Sequence, residues 1–195
     1  PARGLAERRR DGVEAGRERL GRAEDGALLA HQPHLLLDAF GKACAAPSVH
    51  LVYAGRDEGL ERELRARAQA PGLAGRVHFV GHLSPSDSVA AYRAAAVLAV
   101  PSRHEAMSQV ALEAAVQQTP VLLTTACGFD DVGQVGGGRV VPPTVEGLED
   151  GLASMLSEPD ALPAMGRRLH EYVVATFGWP QVARRYMQSF ERARA

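Results

Sequence analysis

The chain has 195 residues, 46% of them hydrophobic, and a formal net charge of −1. That is enough for one domain with a buried core, and the near-zero charge, with no basic tract interleaved with aromatics, excludes a nucleic-acid surface. No apolar run reaches membrane-spanning length and no signal-peptide pattern opens the chain, so a cytoplasmic location is expected.

Residues 1–26 are polar and rich in Arg and Glu, with sparse apolar anchors at Leu5, Val13 and Leu20, and read as a linker-like helical segment. An alternation then fills 27–195. "ALLA" (27–30) is a short strand, and 33–46 is a helix with Leu36, Leu37 and Phe40 on one face. "VHLVYAG" (49–55) is a strand, 57–70 an amphipathic helix, and "RVHFVG" (76–81) a strand. The helix over 84–96 opens with Ser84 as N-cap, Pro85 at the first helical position and Asp87 as capping-box acid. A strand at 97–102, a helix at 107–118, a strand at 120–125 and a turn with a short strand at 136–143 follow. Helical segments at 145–157, 160–177 and 180–194 close the chain, the last two separated by Gly178 and Pro180. Strands alternating with helices of this length predict an α/β fold, a Rossmann-like doubly wound parallel sheet with C-terminal helices. Such sheets bind ligands outside the carboxyl ends of their strands, here the loops 54–58, 81–84, 101–107 and 125–133. None carries a GxGxxG or Walker pattern, which argues against a dinucleotide dehydrogenase or a P-loop enzyme.

The loop and helix in "PSRHEAMSQVALEAAVQQTPVLLT" (101–124) hold two acids, Glu105 and Glu113, eight residues apart. Eight helical residues rise roughly 12 Å, wider than the about 5–9.5 Å of a glycosidase carboxylate pair. The spacing suits the two ends of an elongated ligand. Between the acids, around Met107, Ser108 and Gln109, a helix begins, and its free N–H groups and dipole favour phosphate. Hydroxyls at both ends with negative charge between is the layout of a nucleotide diphosphate sugar. Taken alone, two glutamates on a helix are surface charge; the flanking order of strand, Pro-Ser turn, acid, helix start, acid, Thr-Pro and strand separates this pair from that reading.

The same stretch closely resembles the C-terminal, donor-binding domain of GT-B glycosyltransferases, specifically the retaining family 4 group, whose signature is Glu, seven residues, Glu. "HLLLDAF", "LVYAG", "VHFVGHLS", "RVVPP" and "FGW" extend the resemblance over about residues 27–195. It implies that Glu105 touches the donor sugar and is the catalytic carboxylate. Met107, Ser108, Gln109 and Val110 would offer backbone to the sugar and diphosphate, and Glu113 would bind the ribose hydroxyls. Leu83 would contact the base through its backbone, and Gly55 would lie close to the nucleotide. It also implies retention of configuration, a leaving diphosphate that helps deprotonate the acceptor, no metal or other cofactor, and an acceptor-binding N-terminal domain or separate subunit as partner. Any peripheral membrane association would come through that domain.

Three departures stand out. Ala106 replaces a Gly that usually follows the first Glu. Gln118 replaces a Gly that often precedes Thr-Pro, where a left-handed cap costs on the order of 1 kcal/mol. The segment Gly-Arg, loop, Lys-Gly between the first strand and first helix is absent: the chain runs "GALLAHQPHLLLDAF", the strand reads as clipped, and His31 and His34 do not match the missing cations. The isolated chain is accordingly expected to be inactive.

Other residues have plainer readings. The histidines of "HQPH" (31–34) and "HFVGH" (78–82) lack the acids or cysteines that complete a metal set. His104 is an ordinary loop residue. Cys44 and Cys127 lie far apart without ligand-type spacing and read as free thiols in a reducing compartment. Arg56, Asp57 and Glu58 read as solvated charge. "FDDV" (129–132) is either the loop beneath the donor or the cap of a short helix. Val182, Tyr186 and Phe190 form a helical stripe, either core or a domain-docking surface. Lys42 is the only lysine among many arginines, which suits GC-rich bacterial coding, and an opening Pro1 suits a piece of something longer. Three functions stay open: the donor half of a sugar transferase, a truncated domain that binds nucleotide sugar without catalysis, and a doubly wound interaction module. The residues do not separate UDP- from GDP-sugars.

Overall fold

Strands whose residues are apolar at every position must be covered on both faces, and such strands belong in parallel sheets. The computed structural model, which describes residues 26–29, 32–44, 46–57 and 59–194, bears this out. Its strands are β1 Gly26–Leu29, β2 His50–Ala54, β3 Val77–Gly81, β4 Val97–Val100, β5 Val121–Thr124 and β6 Gly138–Val141. They form one sheet in the order β3-β2-β1-β4-β5-β6, with every pairing parallel. "VLAV" of β4 and "VLLT" of β5 are buried throughout. The order reverses between β1 and β4, the switch point at which doubly wound sheets open a ligand crevice.

The helices are α1 Pro33–Ala43, α2 Glu61–Arg67, α3 Pro85–Ala94, α4 Gln109–Val116, α5 Asp131–Gln134, α6 Val145–Leu156, α7 Leu162–Phe177 and α8 Trp179–Ala193. Two cores follow from strand alternation. Leu51 and Tyr53, Val97 and Ala99, and Leu122 face Leu36, Phe40, Leu148, Leu152 and Met155 of α1 and α6. Val52, Leu98, Val100, Val121 and Leu123 face Tyr92, Ala111, Ala114, Ala115 and Leu169 of α3, α4 and α7. The buried positions of α4 are all alanine, so its backbone lies close to the sheet. Gly166 lets α7 cross the end of α4 at short range: a Cβ there would stand 1.8 Å from the carbonyl oxygen of Gln118.

Several boundaries differ from expectation for local reasons. The helix expected over 57–70 is confined to Glu61–Arg67, because Asp57 Oδ1 accepts the N–H groups of Gly59 and Glu61 and Gly59 turns at φ 95°. Those two bonds hold the Asp57 carboxyl below its ordinary pKa, so this residue is a cap and not merely a solvated charge. The helix expected from 107 starts at Gln109, which puts Glu113 about one turn in rather than two. The strand expected at 27–30 spans Gly26–Leu29; it is as long as β4, β5 and β6, so it is not clipped relative to its neighbours. Ser84 caps α3 as expected, accepting Asp87 N–H, while its own hydroxyl donates to Asp87 Oδ2. The linker-like 1–25, His31 and Glu58 lie outside the described residues.

The stripe on α8 is resolved in favour of surface. None of the described side chains of α8 is buried; Trp179 is 84% exposed, and Tyr186 and Phe190 are each 63% exposed. No helix among the described residues is long and apolar enough to cross a membrane.

Gln118 takes the left-handed conformation expected for a Gly-type cap, at φ 63°. Gln118→Gly should therefore stabilise the fold by roughly 0.5–1 kcal/mol, read as a higher urea midpoint at unchanged slope. A lower midpoint would show that the glutamine side chain contributes more than its backbone strain costs.

Candidate functional site

The loop after β4 is held by the loop after β5, and this fixes where Glu105 stands. The Thr124 hydroxyl donates to the carbonyl of Ser102, and the Cys127 thiol lies 3.3 Å from the carbonyl of Val100. Glu105 N–H donates to the Ala126 carbonyl at 2.9 Å. Gly128 sits directly beneath: with φ +62°, a Cβ there would fall 2.1 Å from Ala106 O and 3.2 Å from Glu105 O. Only glycine leaves room for the Ala106 carbonyl group. Ala106 itself keeps a negative φ, so its replacement of glycine costs the loop nothing in backbone conformation.

Glu105 is half-buried, with Oε2 inside the protein. Burial, and to a lesser degree the Glu105 charge, push the Cys127 thiol above its ordinary pKa. Both Cys127 and Cys44 are free and buried; Cys44 is pushed up to about 11 by burial. Neither has the thiolate character of a nucleophile.

Ser108 is the N-cap of α4, yet its side chain makes no capping bond. Its hydroxyl is wholly buried and has no hydrogen-bond partner. The N–H groups of Val110 and Ala111, the second and third of α4, therefore lack the side-chain acceptor that an N-cap normally supplies. Met107 is half-buried just before it. One turn further, the Tyr92 hydroxyl donates to Glu113 Oε2 at 2.9 Å. Burial and that carboxylate hold the Tyr92 phenol well above its ordinary range, so the tyrosine is the donor.

Glu105, Met107, Ser108, Gln109, Val110 and Glu113 thus lie on one stretch of chain, running from the loop after β4 into the first turns of α4. Gly55 and Leu83 stand on the same edge of the sheet but after β2 and β3, on the far side of β1. Gly55 N–H donates to Gly81 O at 2.9 Å, tying those two strand ends together. Gly55 lines a cavity of about 320 Å³ with Gln32, His34, Tyr53, Arg56 and Phe79, where the rings of Tyr53 and Phe79 stack at 4.9 Å. Neither Leu83 nor either glutamate of that stretch lines that cavity.

Sequence reasoning missed Tyr92 as a partner of Glu113, because the two are 21 residues apart and on different helices. It also missed the stitches through Thr124 and Gly128. Asp130 and Asp131 begin α5 without a side-chain cap, and Asp131 accepts the hydroxyl of Tyr172, whose pKa is raised by burial first and by this carboxylate second. Among the described residues no three His, Cys, Asp or Glu side chains gather as a metal set.

Known proteins resemble this chain in sequence and fold. A D-inositol 3-phosphate glycosyltransferase of Segniliparus rotundus is 32% identical over 167 residues, which is 83% of this chain and 37% of that protein. The chain spans well under half the length of the curated relatives it matches. Sucrose-phosphate synthase from Thermosynechococcus elongatus superposes with a TM-score of 0.71 at 26% identity, over 87% of this chain and 45% of the synthase. The Anabaena protein HepE in complex with UDP-glucose superposes with a TM-score of 0.75 at 19% identity, over 93% of this chain and 53% of HepE, a likeness of fold. The family model for glycosyl transferases group 1 matches residues 28–172, and the chain belongs to that family.

Proposed function

We propose that this chain is the donor-binding half of a retaining glycosyl transferase of the family 4 type, taking a nucleoside-diphosphate sugar. The observation that carries the reading is the start of α4. Its uncapped N–H groups and the buried, unpartnered Ser108 hydroxyl lie between two carboxylates, one before the helix and one a turn inside it. An anionic group at that helix start would meet unsatisfied donors and the positive end of the dipole. HepE, of the same fold, holds UDP-glucose.

In this reading the diphosphate rests on the N–H groups around Met107, Ser108, Gln109 and Val110. Glu113 takes the ribose hydroxyls, and Glu105 takes the sugar hydroxyls and stands nearest the reacting carbon. Leu83 and Gly55 border the base and nucleotide. The sugar leaves with retention, and the departing diphosphate accepts the acceptor's proton. The acceptor would come from a second, N-terminal half or a separate subunit, and the exposed stripe of Trp179, Tyr186 and Phe190 on α8 suits contact with it. In this reading the reaction runs in the cytoplasm and uses no metal, the helix N–H groups meeting the diphosphate and the two carboxylates the hydroxyls.

A second reading, binding without transfer, draws on one observation. Only three residues, Ala30 to Gln32, join β1 to α1, and none is Arg or Lys. Fixed positive charge on a leaving diphosphate in a water-poor cleft is worth several kcal/mol.

Three outcomes are expected. Calorimetric titration with UDP, GDP and their sugars should give affinities unchanged by EDTA; strict dependence on Mg²⁺ or Mn²⁺ would count against the site. Glu113→Ala should weaken free nucleotide by about 1.5–3 kcal/mol, while Glu105→Ala should chiefly erase the preference for the sugar conjugate over the nucleotide. Equal effects of both on free nucleotide would break this division of roles. Finally, the chain fused to an acceptor half of the family should turn over slowly, and a Gly-Arg, loop, Lys-Gly segment inserted between Ala30 and His31 should accelerate donor hydrolysis and transfer. Comparable turnover without the insertion would show that the positive charge comes from elsewhere.

A further inference from the structure

We infer that Tyr92 is a positioning residue for the nucleotide, acting through Glu113: its hydroxyl fixes one carboxylate oxygen so that the group meets a ribose diol in a single orientation. This rests on the donor-site reading above.

Glu113 is exposed on α4, and a glutamate side chain turns about three bonds. Such a side chain loses rotamer freedom when it clamps a ligand, and that loss subtracts from affinity. Here part of it is already lost. The Tyr92 hydroxyl donates to Oε2 at 2.9 Å from a ring that is only 6% exposed. The ring packs in the core formed by Val52, Leu98, Val100 and the alanines of α4.

The tyrosine backbone is equally fixed. The Thr119 hydroxyl donates to the Tyr92 carbonyl at 2.7 Å, and Arg93 Nε donates to Gln117 Oε1 at 2.8 Å. The last turn of α3 is thereby tied to the end of α4 and the turn into β5. The hydroxyl is thus carried by a ring and a backbone that are both held in place, and its position is handed to the carboxylate. Burial in an apolar core is met equally well by phenylalanine. What the tyrosine adds is one hydrogen bond, and that bond goes to the residue assigned to the ribose.

The discriminating readout is the preference for ribose over 2′-deoxyribose. The intact chain, Tyr92→Phe, Glu113→Ala and the double variant are titrated calorimetrically with UDP, GDP and their 2′-deoxy counterparts, and the melting temperature of each is recorded. Tyr92→Phe is isosteric in the core and should fold. It should weaken the ribonucleotides by about two- to tenfold, the cost of immobilising one rotamer-rich side chain on binding. It should leave the 2′-deoxy forms nearly unchanged, and it should cost nothing further in the Glu113→Ala background. A Tyr92→Phe chain that keeps the wild-type ribose preference, or that loses as much again in the double variant, would assign the hydroxyl to the packing of α3 on α4 and overturn the inference while the donor site stands. A wild-type chain that binds no nucleotide, or whose ribose preference survives Glu113→Ala, would overturn the donor-site reading and this inference with it.

Discussion

A parallel sheet puts the carboxyl ends of its strands along one edge, and every candidate ligand residue of this chain stands on that edge. The loops there are not free to choose their shape. Thr124, Ala126, Cys127 and Gly128, at or just after the end of β5, meet Val100, Ser102, Glu105 and Ala106, all in or after β4. The paired ends of β4 and β5 bring these two loops together, and the left-handed turn at Gly128 lets them touch. Glu105 is therefore placed by its neighbour's loop as much as by its own.

Glu113 is placed differently. It rides on a helix, so its position follows from how α4 lies on the sheet. Alanine at 111, 114 and 115 lets that helix approach closely, and Gly166 lets α7 press on its far end. His170 Nδ1 lies 3.0 Å from the carbonyl of Val116, closing the C-terminal end as well. The helix is thus secured by packing, cap and crossing helix, while its N-terminal N–H groups are left without a side-chain acceptor. Stability is supplied at the C-terminal end, and N–H groups without a side-chain acceptor are kept at the end next to the candidate ligand residues. A helix start without a side-chain acceptor leaves its first N–H groups to be met by water or by an anion.

The departures from the family pattern sort by the same logic. Gln118 bears a local backbone strain that the fold tolerates, since the glycine it replaces would only relieve one residue. Ala106 bears none, because the tight approach is made by Gly128 from the opposite loop. The absent basic segment is of another kind. It does not shorten β1, which pairs with β2 along its whole length and with β4 from Ala27 to Leu29. In its place Gln32 and His34 line the cavity shared with Gly55.

Much of this was legible in the residues. The period of apolar positions gave the strands and helices, Ser84 and Pro85 gave the start of α3, and the glutamates eight apart with a helix start between them marked the candidate site. These signals are local: they depend on neighbours within a few residues, where backbone sterics and helix pitch decide. The boundaries at Asp57 and Ser108 were less legible, because a side chain reaching back to two N–H groups, or failing to cap at all, is not written in residue type. What only the tertiary structure decided is which distant groups share an acceptor or a gap: Tyr92 with Glu113, Thr124 with Ser102, Gly128 beneath Ala106 and Gln118 against Gly166. Those meetings depend on strand register and helix crossing, which bring together residues some 20 to 50 positions apart, and a one-residue shift of register would turn each side chain to the other face of the sheet. The sequence by itself therefore determined the fold class and the chemistry at the strand ends. The orientation of that chemistry was set by packing, because a carboxylate on a flexible side chain has a direction only when something else in the fold holds it.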